Sequence, residues 1–274
     1  TLNSINEKFS TYLENSEISN INASESDFVY LSKDFEYVLT KALDYCEIVN
    51  GTYDITVGPL LDLWGFNHSF KNSVPSDKEV VETLNRVGYQ YLSLNRNYLV
   101  KKNKNIILDL NSLAKGYGVD KISELLELNG YYDYLVEIGG EIRTGKSLNV
   151  DDWVVGIQHP ESNKILKKVR LNNLSMATSG TYNSYFNYNG LNYSHIINPF
   201  TGYPFKYKTV SATIISKDCI DSDALATISM TLDPTEVIAL INTKDDIEAY
   251  LVEISDNGIL IEYESKGFDK LIYK

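Results

Sequence analysis

Only three histidines occur in 274 residues, and one of them, His195, stands in a stretch suited to holding it still. Tyr193 to Ile197 reads as a short strand. Asn198-Pro199 and Thr201-Gly202 then supply turn chemistry, because proline fixes φ and glycine permits φ > 0. An imidazole at a strand end beside a rigid loop is placed for proton transfer, although the same residue could simply cap the turn. A second pair is Asp223 and Thr227 in the run Asp221-Ser222-Asp223-Ala224-Leu225-Ala226-Thr227. Four positions apart in a helix, they share one face, one turn apart. Two oxygen ligands on one turn suit a hard cation such as Mg²⁺, which retains waters and shares substrate phosphates. An acidic first turn complementing the helix dipole is the alternative.

Asp109-Leu110-Asn111-Ser112-Leu113-Ala114-Lys115-Gly116-Tyr117-Gly118 brings an acid, a hydroxyl and a lysine to a strand-to-helix junction. Such junctions offer free backbone N–H groups to a phosphate. The glycine and lysine spacing excludes a P-loop. Gly139-Gly140-Glu141 ends a further strand; paired glycines either let a ligand approach the backbone or make a bulge.

These residues need elements to position them, and the periodicity supplies candidates. Amphipathic helices are expected over Leu2–Leu13 and Asp34–Val49, the second ended by Asn50-Gly51. Gly58-Pro59 starts another, with Asp54 and Thr56 as possible caps, and Ser76–Val87 follows. Ser16–Asn22 reads as polar and turn-like. Strands are expected over Tyr89–Asn95, Tyr98–Lys102 and Asn105–Leu110, then Tyr134–Ile138, Trp153–Ile157, Lys168–Leu171 and Thr209–Ser216. Helices should cover the junction to about Leu128, Asn183–Phe186, Asp221 to about Leu232, and Pro234–Asn242. A hairpin turns at Asn189-Gly190, and Glu248–Tyr263 closes the chain as a strand pair turning at Asp256-Asn257-Gly258. Strands and helices cluster rather than alternate strictly, which points to α+β.

Composition narrows the partners. A formal charge of −12 argues against non-specific nucleic-acid binding, so an anionic ligand needs a local answer from a metal ion, a lysine or backbone amides. Cys46 and Cys219 suggest two buried free thiols rather than a disulfide framework. Most of the 21 tyrosines fit half-buried strand faces, and Trp64 and Phe66 fit a core. No apolar run approaches a membrane span.

Seven motifs in order resemble the ApbE-like flavin transferases (FAD:protein FMN transferases). They are Ser10-Thr11-Tyr12 with Ser16-Glu17-Ile18-Ser19, Tyr53 to Leu60 with Leu63-Trp64-Gly65-Phe66, and Asp109-Leu110 through Ala114-Lys115-Gly116. Gly139-Gly140-Glu141, Ala177-Thr178-Ser179-Gly180, Ser194 to Pro199 and Asp223 to Thr227 complete the set, which spans nearly the whole chain. The resemblance implies one ApbE-like, T-fold-related domain over residues 1–274, with largely antiparallel sheets, helices packed outside and a helical subregion at about 55–90.

The activity implied is Mg²⁺-dependent transfer of FMN from FAD to a Thr or Ser hydroxyl of a target flavoprotein, through a phosphoester and with release of AMP. Metal ligands would be the Ser112 carbonyl and the Asp223 and Thr227 side chains. FAD contacts would fall on Tyr12, Thr52, Tyr53, Asp54, Asp109, Lys115, Gly139, Gly140, Glu141 and the Ile197 backbone, with His195 deprotonating the acceptor. The target would be a flavoprotein subunit of a membrane redox complex. The implied location is extracytoplasmic and bacterial, with a lipid anchor.

Three features depart from the family pattern. Asn111-Ser112 replaces a small Gly/Ala pair, Glu141 replaces a frequent aspartate, and the family's N-terminal strand with its Met-Gly-Thr is missing ahead of the first helix, so a truncated form is expected. Rival readings are an FAD pyrophosphatase, in which water replaces the acceptor, and a non-catalytic flavin-binding protein. The retained Asp223, Thr227 and His195 speak against the latter.

Overall fold

Serine caps open much of the helical part of the chain. A computed structural model describes residues 1–66, 74–147, 152–181, 185–188, 190–206, 209–255 and 257–274. It opens with α1 (Leu2–Phe9) and α2 (Glu17–Ala23), then β1 (Phe28–Tyr30) and α3 (Lys33–Ile48). The Ser16 side chain accepts from Ser19 N at the start of α2, and Ser32 accepts from Phe35 N at the start of α3. Each cap satisfies one amide that the first helical turn leaves open. The stretch expected to be turn-like is therefore a helix: Ser16 caps it, and Ile18 and Ile21 bury one face.

Next come α4 (Gly58–Leu63), α5 (Asp77–Leu84) with a full capping box between Ser76 and Glu79, and the hairpin β2 (Leu92–Asn95) and β3 (Tyr98–Lys101). Residues 105–110, expected as a strand, pair with no strand among the described residues. Asn22 brackets Leu108, donating to its carbonyl at 2.9 Å and accepting its N–H at 2.7 Å, while Asp109 N donates to Ile55 O at 2.7 Å. A side chain and a loop thus take the bonds a neighbouring strand would have made.

Helix α6 (Asn111–Leu128) leads to β4 (Leu135–Ile138), β5 (Glu141–Thr144), β6 (Trp153–Gln158), β7 (Ile165–Leu171) and β8 (Ser175–Gly180). The hairpin β9 (Tyr185–Tyr188) and β10 (Leu191–Ser194) follows. Residues 185 and 186 are thus strand where a helix was expected; 183 and 184 lie outside the described residues, as do Asn189 of the hairpin turn and Asp256 of the last one. The chain ends with β11 (Thr209–Ser216), α7 (Cys219–Ser229), α8 (Pro234–Ile241), β12 (Glu248–Ile254) and β13 (Leu260–Glu264).

Two compact units result. The first comprises residues 1–114 and 184–206 and holds the sheet β1-β3-β2, the β9–β10 hairpin and a core around Leu60, Trp64, Val87 and Ile197. The second comprises residues 115–183 and 207–274. It is built on a six-stranded antiparallel sheet in the order β13-β12-β11-β8-β5-β4, with β6–β7 as a separate hairpin. Its core joins Ile157, Val169, Leu171, Met176, Ile215, Tyr250, Val252 and Phe268. Helix α7 packs against β8 and β11 and is buried at every position described except Asp221 and Thr227. Both cysteines are buried free thiols.

Candidate active site

In the second unit, α6 and α7 approach so closely that one position between them must be glycine. A Cβ on Gly116 would lie 2.4 Å from the Cys219 carbonyl oxygen and 2.8 Å from Asp223 Cβ. The contact also makes a bond, since Gly116 N donates to Asp223 Oδ2 at 2.8 Å. One residue earlier, Lys115 extends its ammonium to Glu141 Oε1 at 2.5 Å and comes within 4.0 Å of Asp223 Oδ1. The lysine side chain is 46 % exposed whereas both carboxylates are nearly closed off, at 3 % and 4 %.

With both carboxyl groups ionised, the charges would not balance. Burial pushes Asp223 up to about 8, and the Glu141 carboxylate adds to the rise while Lys115 and the Gly116 amide oppose it. Burial raises Glu141 as well, against the pull of Lys115. Burial alone would lower Lys115, but Asp223 and Glu141 outweigh it and its net shift is upward. Glu141 Oε2 is buried with no partner among the described residues. Thr227, one turn beyond Asp223, places Oγ1 3.3 Å from Ser179 Oγ. A buried carboxyl group one helical turn from a hydroxyl offers oxygen donors of the kind a hard divalent cation takes, and a cation would compensate its ionised form.

Gly139 and Gly140 form the turn from β4 to β5 with φ of 64° and 104°, a region side chains disfavour. Gly140 N donates to Glu137 Oε1 at 2.7 Å. The turn delivers Glu141 directly opposite Lys115. The side chain of Glu141 is thereby committed to the lysine.

In the first unit, His195 follows the last residue of β10 and is half-buried, with its ring edge-on to Phe66 at 6.3 Å between centroids. The loop after it is fixed as its turn residues imply. Asn198 Oδ1 accepts from Phe200 N and Thr201 N, Gly202 N donates to Asn198 O, and Ile197 bridges to Pro204. Gly202 has φ of 74°, and a Cβ there would meet Val80 Cγ1 at 2.5 Å. Fully buried Trp64 donates from Nε1 to Gly202 O at 2.8 Å and stacks on Tyr193. Trp64 is thus the core prop of the histidine loop.

Tyr53 OH pairs with Ser112 Oγ at 2.7 Å, in the first turn of α6. Asp109 Oδ1 accepts from Asn111 N at 2.9 Å and starts that helix. Thr52 Oγ1 donates to Val49 O, and Tyr12 is 73 % exposed. Asp54, expected as a helix cap, does something else. Its Oδ1 accepts from Thr56 N and Thr56 Oγ1 and its Oδ2 from Tyr89 N, while Val57 stands at the N-cap of α4 with no side-chain cap bond. Asp54 is buried, and burial raises its pKa against those bonds.

The sequence model of the ApbE family matches residues 1–251. The chain belongs to the ApbE family. It is 34 % identical to the FAD:protein FMN transferase of Haemophilus influenzae over 98 % of this chain and 81 % of that protein. The FAD:protein FMN transferase of Vibrio cholerae is likewise 34 % identical, over 100 % of this chain and 83 % of its own length. Among solved structures, the flavin transferase ApbE from Vibrio cholerae superposes with a TM-score of 0.89 at 33 % identity, covering 98 % of this chain and 87 % of that one. The ApbE protein of Thermotoga maritima gives 0.87 at 30 % identity, over 100 % and 90 %. The mixed fold of helices and antiparallel sheet expected from the ApbE motifs is therefore the fold observed.

Of the ApbE-family residues singled out in the sequence, Lys115, Glu141, Asp223 and Thr227 fall in the second unit, with Gly139 and Gly140 at its β4–β5 turn. His195, Ile197, Tyr53, Asp54, Thr52, Asp109, Ser112 and Tyr12 fall in the first. Sequence reasoning gave no role to Asp120 and Arg143, which form a buried pair beside α7. The only signal for Asp120 is its position on α6, four residues beyond Gly116.

Proposed function

We propose that this chain transfers FMN from FAD to a threonine or serine hydroxyl of a target flavoprotein and releases AMP. The observation that carries this reading is Asp223, a carboxylate sealed against one lysine and one amide and short of positive charge. Its position beside Lys115 suits the handling of a pyrophosphate, and the names of the relatives supply the substrate and the group transferred.

The step is a displacement at phosphorus. The acceptor Oγ forms a bond to the phosphorus of the FMN half, the bridging P–O bond breaks, and its electron pair leaves with AMP. His195 takes the proton of the attacking hydroxyl, a contribution of about 10²–10⁴-fold for a positioned base. Lys115 draws the phosphate oxygens by charge, and Asp223 and Thr227 would hold Mg²⁺. When bound, Mg²⁺ neutralises pyrophosphate oxygens and improves the leaving group. Gly140 leaves the backbone open on one side, since a Cβ there would meet nothing within 4 Å.

The target is a flavoprotein subunit of a membrane redox complex, and the protein works outside the cytoplasm on a lipid anchor; the motif resemblance supports both statements. No helix among the described residues is long and apolar enough to cross a membrane.

The test is a paired incubation with FAD and Mg²⁺, with and without an acceptor carrying the threonine. AMP formed only with acceptor, and an acceptor mass increased by one FMN, is the expected result. AMP formed equally without acceptor would replace the transferase by an FAD pyrophosphatase. Bound FAD with no AMP in either tube would leave a flavin-binding protein.

A further inference from the structure

Helix α7 carries Asp223 and Thr227, so whatever fixes its first turn fixes their oxygens. That turn is held from outside the helix. Its own N-cap, Asp218, makes no side-chain cap bond. Instead Asp120, on α6, accepts Cys219 N with Oδ1 at 2.9 Å and Ile220 N with Oδ2 at 2.9 Å. These are the first two helical amides, which a helix leaves without internal partners. A carboxylate there also complements the positive end of the helix dipole.

Asp120 is itself held. Arg143 on β5 donates from Nη1 to Asp120 Oδ1 at 2.6 Å and reaches Asp218 Oδ1 at 3.3 Å. Asp120 and Arg143 side chains are 8 % and 10 % exposed. Asp120 lies four residues after Gly116 on α6, so one stretch of that helix grips α7 twice. Gly116 holds the Asp223 carboxylate and Asp120 holds the turn before it.

We propose that the Asp120–Arg143 pair is a positioning device that sets the Asp223 and Thr227 oxygens for the divalent cation. The inference rests on the functional reading above. Neither residue touches the cation or FAD; both act through the register of α7. Loss of the clamp weakens cation binding more than it weakens chemistry at saturating cation.

The experiment uses Mn²⁺ as the probe, with free ion read by its electron paramagnetic resonance signal in the presence of FAD, and AMP release measured with a threonine acceptor added across the same Mn²⁺ series. Asp120→Ala is the main variant and Arg143→Lys the conservative one, which keeps a cation against Asp120. Asp120→Asn is used if the alanine variant fails to fold. Asp120→Ala is expected to raise half-saturating Mn²⁺ at least tenfold, with AMP release at saturation recovering to within about threefold of wild type. Arg143→Lys and Asp120→Asn are expected to shift it less, in the same direction. A folded Asp120→Ala protein with wild-type Mn²⁺ affinity would overturn the proposal. So would a loss of AMP release that is equal at every Mn²⁺ concentration. A wild-type protein that binds Mn²⁺ but releases no AMP would contradict the transferase reading instead, and the Mn²⁺ affinities alone would still decide the clamp.

Discussion

At the scale of single residues, this chain uses each of its reactive groups in a different environment. His195 stands half-buried at a strand end above a loop locked by Asn198 and Gly202. Asp223 is sealed in unit two. His195→Ala should therefore slow FMN transfer by about 10²–10⁴-fold while leaving FAD affinity within severalfold. Rapid single-turnover assays beside FAD titrations check this, and equal losses in both would make His195 a binding residue. Gly116→Ala forces a Cβ to 2.4 Å from the Cys219 carbonyl and 2.8 Å from Asp223 Cβ. Overpacking of this kind costs about 1–3 kcal/mol, and transfer should fall further than stability does. Thermal melts and AMP release on the same preparation test it. The histidine, the Asp223–Thr227 spacing and the lysine were all legible in sequence, because local residue types and one helical period carry them. The Lys115–Glu141 bond was not, because 26 residues separate its ends and neither end shows a periodic signal.

At the scale of elements, legibility follows how local the determining bond is. Helices α3, α5 and α8 were readable because their caps and faces lie within the element. Helix α2 looked like a turn because serine and asparagine crowd it, yet the Ser16 cap and two buried isoleucines decide its state. Residues 105–110 alternate as a strand does, burying Ile106, Leu108 and Leu110. Their hydrogen bonds go to Asn22 and Ile55, partners no local pattern names.

The contact between the β6–β7 hairpin and the six-stranded sheet carries a pH signature of its own. Lys167 on β7 bonds Glu262 on β13 at 2.8 Å and lies over the Tyr250 ring at 4.5 Å. That hydrogen bond holds the Glu262 carboxyl below the usual glutamate range. A carboxyl whose folded pKa is depressed adds stability above its unfolded pKa, about 4.3, and loses it as pH falls through the folded value. Lys167→Met should remove that increment, so the melting temperature of the variant should decline less steeply than wild type below about pH 4.3. Melts at intervals from pH 7 to pH 3 provide the comparison.

At the scale of the whole molecule, a chain with formal charge −12 binds a doubly charged pyrophosphate only if it concentrates positive charge locally. Lys115 supplies one charge, and the two nearly buried carboxyl groups would more than cancel it once both are ionised. The second unit therefore favours a divalent cation, and Asp223 is the group on which that need falls. Removing Asp223 also removes a desolvation cost, so Asp223→Ala should melt no lower than wild type while losing its chemistry. The decisive measurement is the intact mass of a threonine acceptor after incubation with FAD, Mg²⁺ and either wild-type or Asp223→Ala protein. An acceptor heavier by one FMN with wild type, and unmodified with the folded variant, is what the buried carboxylate requires. Equal flavinylation by both proteins would contradict the account.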